Sequence, residues 1–456
     1  MTTTNLDTVD SRRRQRLDTV QRSLKSRHAR ERRFQGMGLF AVITALVLVT
    51  ILFASILMRG VPAFWQATLY LDVHLDPEVI QVDERPVRQA AESPAQFRER
   101  ELVWLNQLGM VNWNGLIDEA LKAHLPGEIE SRQTRDLRAL VASGERFALR
   151  DRVMENPGLI GQTISVKMLA SADVDVWLKG NIDRSLADSR QQLSAQTREW
   201  ADYLKEQGVI RNSFSTALFL NTDSRSSPAS AGLAGAFMGS LFMMLIVIAL
   251  TVPLGVASAI YLEEFAPRNR LTDLIEININ NLAAVPSIVF GLLGAAIFVG
   301  YLGLPLSAPL VGGLVLTLMT LPTIIIATRA ALRSIPPSIR QAALGIGASR
   351  VQTVFHHVLP LALPGILTGS ILGVAQALGE TAPLLLIGMN AFVANVPSSP
   401  MDQATALPVQ IYLWQGNELR NFFEARTSAA IIVLLGLMLS LNAVAIWLRK
   451  KFETRW

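Results

Sequence analysis

One stretch of this chain carries no charge at all, since no Asp, Glu, Lys or Arg occurs from residue 277 to residue 328. In soluble proteins about a quarter of all residues are charged, whereas here the share is 17% and half of the residues are hydrophobic. A chain with this pattern is not a fully soluble enzyme. The absence of cysteine also excludes disulfides, zinc–thiolate sites and iron–sulfur clusters.

Six apolar segments are long enough to cross a membrane. The first, residues 37–58, would be about 33 Å long as a helix, which is enough for a hydrocarbon core of about 30 Å. A signal peptide is the alternative, but its apolar core is usually only about 7–15 residues long and is followed by a cleavage site with small residues. The other segments are residues 231–262, 277–300, 306–328, 361–388 and 428–448. The sequence therefore predicts an all-α polytopic membrane protein with six transmembrane helices.

Lys and Arg residues beside these segments predict their orientation, because cytoplasmic loops are enriched in both. Ten of them lie in the first 36 residues, four follow the last segment, and four arginines without any acidic residue lie in the loop 329–360. Both termini and this loop are therefore predicted to be cytoplasmic. Nucleic-acid binding is the alternative for the basic N-terminus, but charge beside a membrane helix is the commoner explanation, so no nucleic-acid partner is expected.

The segment 59–228 would then lie outside the membrane, in the periplasm of a Gram-negative cell, and its pattern predicts an inserted α+β domain. Its two histidines, His74 and His124, are far apart and have no metal-ligand spacing. Alternating residues predict strands, and longer periodic stretches predict helices. The predicted strands are residues 70–75, 164–169 and 174–178, and the predicted helices are residues 95–124 and 183–208.

The loop 329–360 is predicted to form two short helices joined by a glycine turn. Pro336 and Pro337 break the chain, and Gly345 and Gly347 allow the turn; an ordinary surface loop is the alternative. The chain contains no P-loop, no G-x-S-x-G and no H-E-x-x-H pattern, which are signatures of nucleotide, serine and zinc chemistry. It is therefore predicted to be no enzyme and to need no cofactor.

This loop resembles the coupling segment of ABC-importer permeases, in which E-A-A-x-x-x-G is followed nine residues later by I-x-L-P. Gln341 stands where the family has glutamate, and His357 stands where it has isoleucine. Residues 253–267 and 281–294 resemble phosphate-importer permeases, and residues 377–386 are similar to the signature of the PstA-type subunit. The candidate ATPase-coupling residues are Gln341, Ala342, Ala343, Gly347, Leu359 and Pro360.

The resemblance implies the ABC importer permease fold and a role in phosphate import across the bacterial inner membrane. The implied partners are a second permease of the PstC type, a dimer of ATPase subunits of the PstB type and a periplasmic phosphate-binding protein of the PstS type. ATP hydrolysis would belong to the ATPase. The alternatives are a permease for molybdate or sulfate and, from another class, a membrane sensor.

The membrane segments and the resemblance together divide the chain into five parts, one of which is the permease core. Residues 60–228 lie outside the resemblance and are predicted to form an accessory module, so that a short flexible linker in place of residues 62–226 would leave some uptake when the binding protein is abundant. The parts are a basic cytoplasmic tail (1–36), the first transmembrane helix (37–58), the periplasmic domain (59–228), the permease core with the loop 329–360 (229–450) and a cytoplasmic tail (451–456).

Glycines in the fifth segment predict a packed helix face. Gly365, Gly369 and Gly373 repeat every four residues, which lets a neighbouring helix approach closely. In helical phase, Gln376 and Glu380 fall on the same face. Because an ionisable group in a membrane is costly, Glu380 is predicted to act in a gate, and a buried ion pair that only joins two helices is the alternative. The candidate path residues are Glu380, Gln376, Thr381 and Ser287.

Overall fold

The computed structural model describes residues 4–89, 92–182 and 184–452 of the chain. The end of the predicted C-terminal tail, including Arg455, lies outside the described residues. The chain divides at Met58 into two units. Helix α1 (Thr4–Gly60) contains the first apolar segment.

The part of the chain after α1 begins with a three-stranded antiparallel sheet. The strands are β1 (Trp65–His74), β2 (Thr163–Leu169) and β3 (Ile210–Phe214), with β1 in the centre. Leu71 pairs with Val166 on one side of β1, and Leu69 pairs with Ile210 on the other. The accompanying helices are α2 (Pro94–Met110), α3 (Trp113–Lys122), α4 (Thr134–Arg138), α5 (Glu145–Glu155), α6 (Ala172–Lys179), α7 (Ala195–Glu206) and α8 (Thr216–Leu220).

Two of the three predicted strands are present, and the third is wrong. Residues 174–178 belong to helix α6, because the hydroxyl of Ser171 accepts a hydrogen bond from the Val174 amide and caps the first turn. Asp173 and Asp175 in that turn also favour a helix through its dipole. Local capping therefore outweighs the alternating pattern.

The two predicted helices of this part are shorter than expected. The stretch 95–124 is divided between α2 and α3, because the side chain of Asn112 caps a new helix. In the stretch 183–208 the long helix begins only at Ala195, after the cap at Ser194, and residue 183 lies outside the described residues.

The remaining helices are mostly apolar. In chain order they are α9 (Ala234–Ile260), α10 (Arg270–Ala283), α11 (Ser287–Gly294), α12 (Pro309–Arg333), α13 (Pro337–Gly345), α14 (Arg350–Gln352), α15 (Leu359–Gly379), α16 (Ala382–Leu386), α17 (Leu407–Gln415) and α18 (Arg420–Phe452). Among the described residues, five helices are long and apolar enough to span a membrane, and a bent pair would make a sixth.

The bent pair shows that the predicted span over residues 277–300 is not one continuous helix. Helix α10 and the helical segment that begins with α11 meet at 99°. The break lies at Pro286, which has no amide proton for a helical hydrogen bond and disfavours a helical conformation in the residue before it.

The predicted segment 361–388 is also interrupted. Helix α15 ends at Gly379, and Glu380 has an extended backbone (φ −74°, ψ 133°). The short helix α16 follows, with Pro383 in its first turn. A proline ring clashes with the carbonyl group four residues earlier in a continuous helix, and that carbonyl group belongs to Gly379.

Arg426 of α18 joins the β-sheet part to the apolar helices. Its guanidinium group donates to the carbonyl oxygens of Ala229 (2.8 Å) and Ala231 and to Oε1 of Gln66 (3.0 Å). Gln66 lies in β1 and itself donates to Ala229. Since only 2% of Arg426 is exposed, this cluster is a buried connection between the two parts.

Candidate functional site

The loop 329–360 forms the predicted helix–turn–helix, which we call the coupling loop. Helix α13 ends in a turn in which the amide of Gly347 donates to the Leu344 carbonyl (3.0 Å) and that of Ala348 donates to the Ala343 carbonyl (3.1 Å). These two bonds make a Schellman turn, which needs a left-handed residue. Gly347 has a φ of +92°. Only glycine adopts this conformation without strain, so Gly347 fixes the turn.

The next helix starts immediately after the turn. Ser349 caps it by accepting a hydrogen bond from the Gln352 amide (3.2 Å), and the Gln352 side chain accepts from the Ser349 amide (2.9 Å). From Arg350 the helical segment continues to Gly379. The turn is therefore rigidly connected to a helix long enough to cross the membrane.

The candidate coupling residues occupy different environments in this loop. Gln341, Ala342 and Gly347 are exposed, Ala343 is buried, and Leu359 and Pro360 are half-buried. Two apolar side chains that the sequence analysis did not select, Leu344 and Ile346, are 48% and 81% exposed. The tip of the coupling loop is therefore an exposed apolar surface.

An ion pair holds α13 to the helical segment Tyr261–Phe265, which directly continues α9. The guanidinium group of Arg340 contacts the carboxylate of Glu264 at 2.6 Å and also donates to the carbonyl groups of Leu332 (2.9 Å) and Ile335 (2.8 Å). The side chains of Arg340 and Glu264 are only 23% and 9% exposed. Gln341, which replaces the family's glutamate, is next to the arginine that makes this contact.

A second set of charges joins the segment Tyr261–Phe265 to α10 and α12 beside the coupling loop. Arg329, which is 8% exposed, pairs with Glu263 at 3.2 Å and with Glu276 of α10. Arg333 pairs with the same Glu263 at 2.8 Å. The sequence analysis used these arginines only for orientation and missed their acidic partners. The available signal was the position of the acids at the ends of apolar segments, on the same side as the arginines.

The three glycines of α15 face α12. A methyl group added at Gly365 would lie 2.8 Å from Cβ of Ala331, and one at Gly373 would lie 3.1 Å from Cγ1 of Ile324. Gly369 faces Ala327 in the same way. These contacts leave no room for a larger residue at Gly365 or Gly369 unless the helices separate.

The helical phase expected for Glu380 is wrong, because α15 ends one residue before it. Gln376 is exposed, whereas Gly373 and Ala377 are buried, so Gln376 is not on the packed face. Glu380 is half-buried and its carboxylate has no ion-pair partner among the described residues. Glu380 therefore does not join two helices through a charge pair within this part of the chain.

Three candidate path residues lie at the two helix breaks. Ser287 is the first residue of α11, and Glu380 and Thr381 separate α15 from α16. Helices α11 and α16 touch, since a methyl group at Gly291 would lie 2.6 Å from Cα of Pro383. Gly291 is one turn after Ser287, so the two breaks lie near one contact. In membrane proteins, breaks of this kind expose backbone polar groups only beside protein or water-filled cavities.

No group of three His, Asp or Glu side chains in the described parts of the chain could hold a metal ion.

Two family profiles match the chain. One, described as binding-protein-dependent transport system inner membrane component, matches residues 251–456, and the other, described as a domain of unknown function (DUF3333), matches residues 21–188.

Curated relatives each match about half of the chain. The probable ABC transporter permease protein YqgI of Bacillus subtilis is 32% identical over 258 residues, which cover 54% of this chain and 86% of that protein. The phosphate transport system permease protein PstA 1 of Mycobacterium tuberculosis is 32% identical over 230 residues, which cover 48% of this chain and 71% of the relative. PstA of Xylella fastidiosa is 33% identical over 222 residues, covering 48% and 76%.

Among solved structures, the inward-facing MetNI methionine ABC transporter aligns with 49% of this chain and 96% of the matched chain, at 18% identity and a TM-score of 0.37.

Proposed function

The chain belongs to the family of binding-protein-dependent ABC transport permeases, of the PstA type, and from that premise we propose that it is a membrane subunit of an ATP-driven importer of inorganic phosphate. The coupling loop carries this proposal, because a rigid turn around Gly347 with an exposed apolar tip suits docking on a separate ATPase. The relatives named as phosphate permeases support the choice of phosphate.

In the proposed arrangement the chain crosses the inner membrane six times, counting α10 and the segment after it as one bent span. Both termini and the coupling loop are cytoplasmic, and residues 59–228 are periplasmic. The lysines and arginines at the cytoplasmic ends support this orientation. A PstC-type permease, a PstB-type ATPase dimer and a PstS-type binding protein complete the importer.

The ion pairs beside the coupling loop provide a route for force. When the ATPases close and push on the tip at Leu344 and Ile346, Arg340 would pull on Glu264 at the end of α9. Arg329 and Glu263 would carry the displacement to α10 and α12. These pairs are largely shielded from water, so they resist separation more strongly than surface pairs.

The helix breaks are the proposed place of the gate. Ser287 and Thr381 offer hydroxyl groups that suit an oxyanion, whereas the carboxylate of Glu380 would repel phosphate unless a cation from the partner permease faces it. Because backbone groups at broken helices can contact a transported ion, movement of α11 against α16 would open or close the path.

Uptake measurements test this proposal. The chain is expressed with its three partners in a strain that lacks its own phosphate importer, and uptake of radiolabelled phosphate is compared with that of sulfate and molybdate. We expect ATP-dependent phosphate uptake that excess sulfate does not inhibit. Uptake of sulfate or molybdate alone would reassign the anion, and no uptake by an assembled complex would refute the transport function.

A further inference from the structure

Four aromatic side chains form a continuous row at one edge of the sheet. The rings of Phe64 and Phe219 stack with centroids 5.7 Å apart, and those of Phe219 and Phe214 stack at 5.6 Å. Trp65 meets Phe214 edge to face at 6.2 Å. We call these four residues, together with the adjacent Leu220, the aromatic edge.

The aromatic edge is exposed although it is apolar. Trp65 is 46% exposed, Phe214 is 53% exposed and Leu220 is 71% exposed. Monomeric soluble surfaces rarely gather so many large apolar groups in one patch. The backbone around the patch is fixed, since the Ser215 amide donates to the Phe64 carbonyl at 2.8 Å and the Lys179 ammonium group donates to the Trp65 carbonyl at 2.7 Å.

Contacts connect this edge to the ends of two apolar helices. Gly60, four residues before Phe64, lies against α18, since a methyl group there would come within 2.9 Å of the Ala429 amide nitrogen. Ala429 is near the start of the uncharged part of α18. Leu218, next to Phe219, is fully buried with Leu233 just before α9. The aromatic edge therefore continues the apolar surface of these helices at the level where they end.

We propose that the aromatic edge lies in the interfacial layer of the outer leaflet and that lipid is its partner. Aromatic residues concentrate at this depth, because their rings are apolar while Trp can also donate a hydrogen bond to the headgroup region. Insertion would hold the sheet against the bilayer. The inference rests on the proposed membrane placement and adds a contact that this placement does not require.

Single-cysteine labelling tests the inference directly, because the chain has no native cysteine. The Leu220→Cys variant is labelled with a nitroxide in the complete complex in lipid nanodiscs. The collision rates of the nitroxide with oxygen, which is enriched in lipid, and with a water-soluble nickel chelate are then measured. Two matched apolar positions are references: Leu439→Cys on α18, 62% exposed, for lipid, and Met110→Cys at the end of α2, 89% exposed, for water.

We expect the oxygen-to-nickel ratio at Leu220 to be several-fold above that at Met110 and to approach that at Leu439. A ratio equal to that of Met110 would overturn the inference, and so would protection from both reagents, which would indicate a protein partner. If the nitroxide at Leu439 were itself accessible to the nickel chelate, that result would contradict the proposed membrane placement of α18 instead. As a second measurement, Trp65→Phe should remove part of the tryptophan fluorescence that brominated lipids quench, and an unchanged quenched fraction would also contradict the inference.

Discussion

At the scale of single residues, Gly347 is a position where the backbone conformation favours glycine. Its φ of +92° costs a residue with a side chain about 1–2 kcal/mol, although no atom of the described chain would block an added methyl group. We expect Gly347→Asp to abolish phosphate uptake, because the charge adds to this strain at the docking surface, and Gly347→Ala to reduce uptake. The amount of subunit in the membrane should remain normal in both variants.

The matched control is Gly345→Ala, because Gly345 is helical and also has open space around it. It should transport like the unmodified protein, and uptake and membrane content are measured together. Normal uptake by Gly347→Asp would show that the turn does not couple transport to ATP.

Glu380 allows a second prediction at this scale. Its carboxylate has no ion-pair partner among the described residues, so Glu380→Gln should leave the yield of purified complex unchanged. If the charge acts in the gate, phosphate uptake should fall strongly. A lower yield would instead indicate a buried pair with another subunit, since breaking such a pair costs about 3–5 kcal/mol. Normal yield with normal uptake would remove Glu380 from the mechanism.

At the scale of elements, the Arg340–Glu264 pair predicts that α13 and α9 move together. Arg340→Glu and Glu264→Arg each place two like charges within a mostly buried contact, so each should lose most phosphate uptake. The double variant should recover part of it. Recovery stays incomplete, because a glutamate at position 340 cannot donate to the carbonyl groups of Leu332 and Ile335.

Arg268→Glu is the control for this series, since Arg268 is an exposed arginine with no ion pair in the described residues. It should leave uptake unchanged. The measurements are phosphate uptake and phosphate-stimulated ATP hydrolysis by the purified complex. A double variant no better than either single variant would contradict direct coupling through this pair.

Elements were predictable from the sequence where one local signal determined them. Apolar length located the helices that can span a membrane, and the glycine turn located the coupling loop. The signal failed at breaks: Pro286 and Pro383 lie inside segments that were selected by their apolar length, and length does not indicate where a helix is interrupted. The alternating pattern also failed at residues 174–178, which form a helix because Ser171 caps its first turn. The acidic partners of Arg329 and Arg340 were missed because they are more than 50 residues away in sequence.

At the scale of the whole molecule, the sheet part and the apolar helices share buried structure. The sequence analysis treated residues 59–228 as a removable module because no motif tied them to the core. The structure places Gln66 of β1 and the carbonyl groups of Ala229 and Ala231 around Arg426. A linker in place of residues 62–226 would remove Gln66 and expose this site, so we now expect such a deletion to destabilise α18 as well.

Arg426 provides the test of that connection. Arg426→Met keeps much of the side-chain volume but removes the guanidinium group. Gln66 Oε1 and the Ala231 carbonyl then lose the hydrogen bonds that this group donates. The positive charge near Asp175 and Asp223 is lost as well. Because a buried polar group left without its hydrogen-bond partner costs about 1–3 kcal/mol, the variant should show a lower melting temperature and lower yield. Arg420→Met is the control, since Arg420 lies on the same helix but is exposed. Thermal unfolding of both variants in nanodiscs compares them, and equal melting temperatures would mean that the two parts are stable independently of each other.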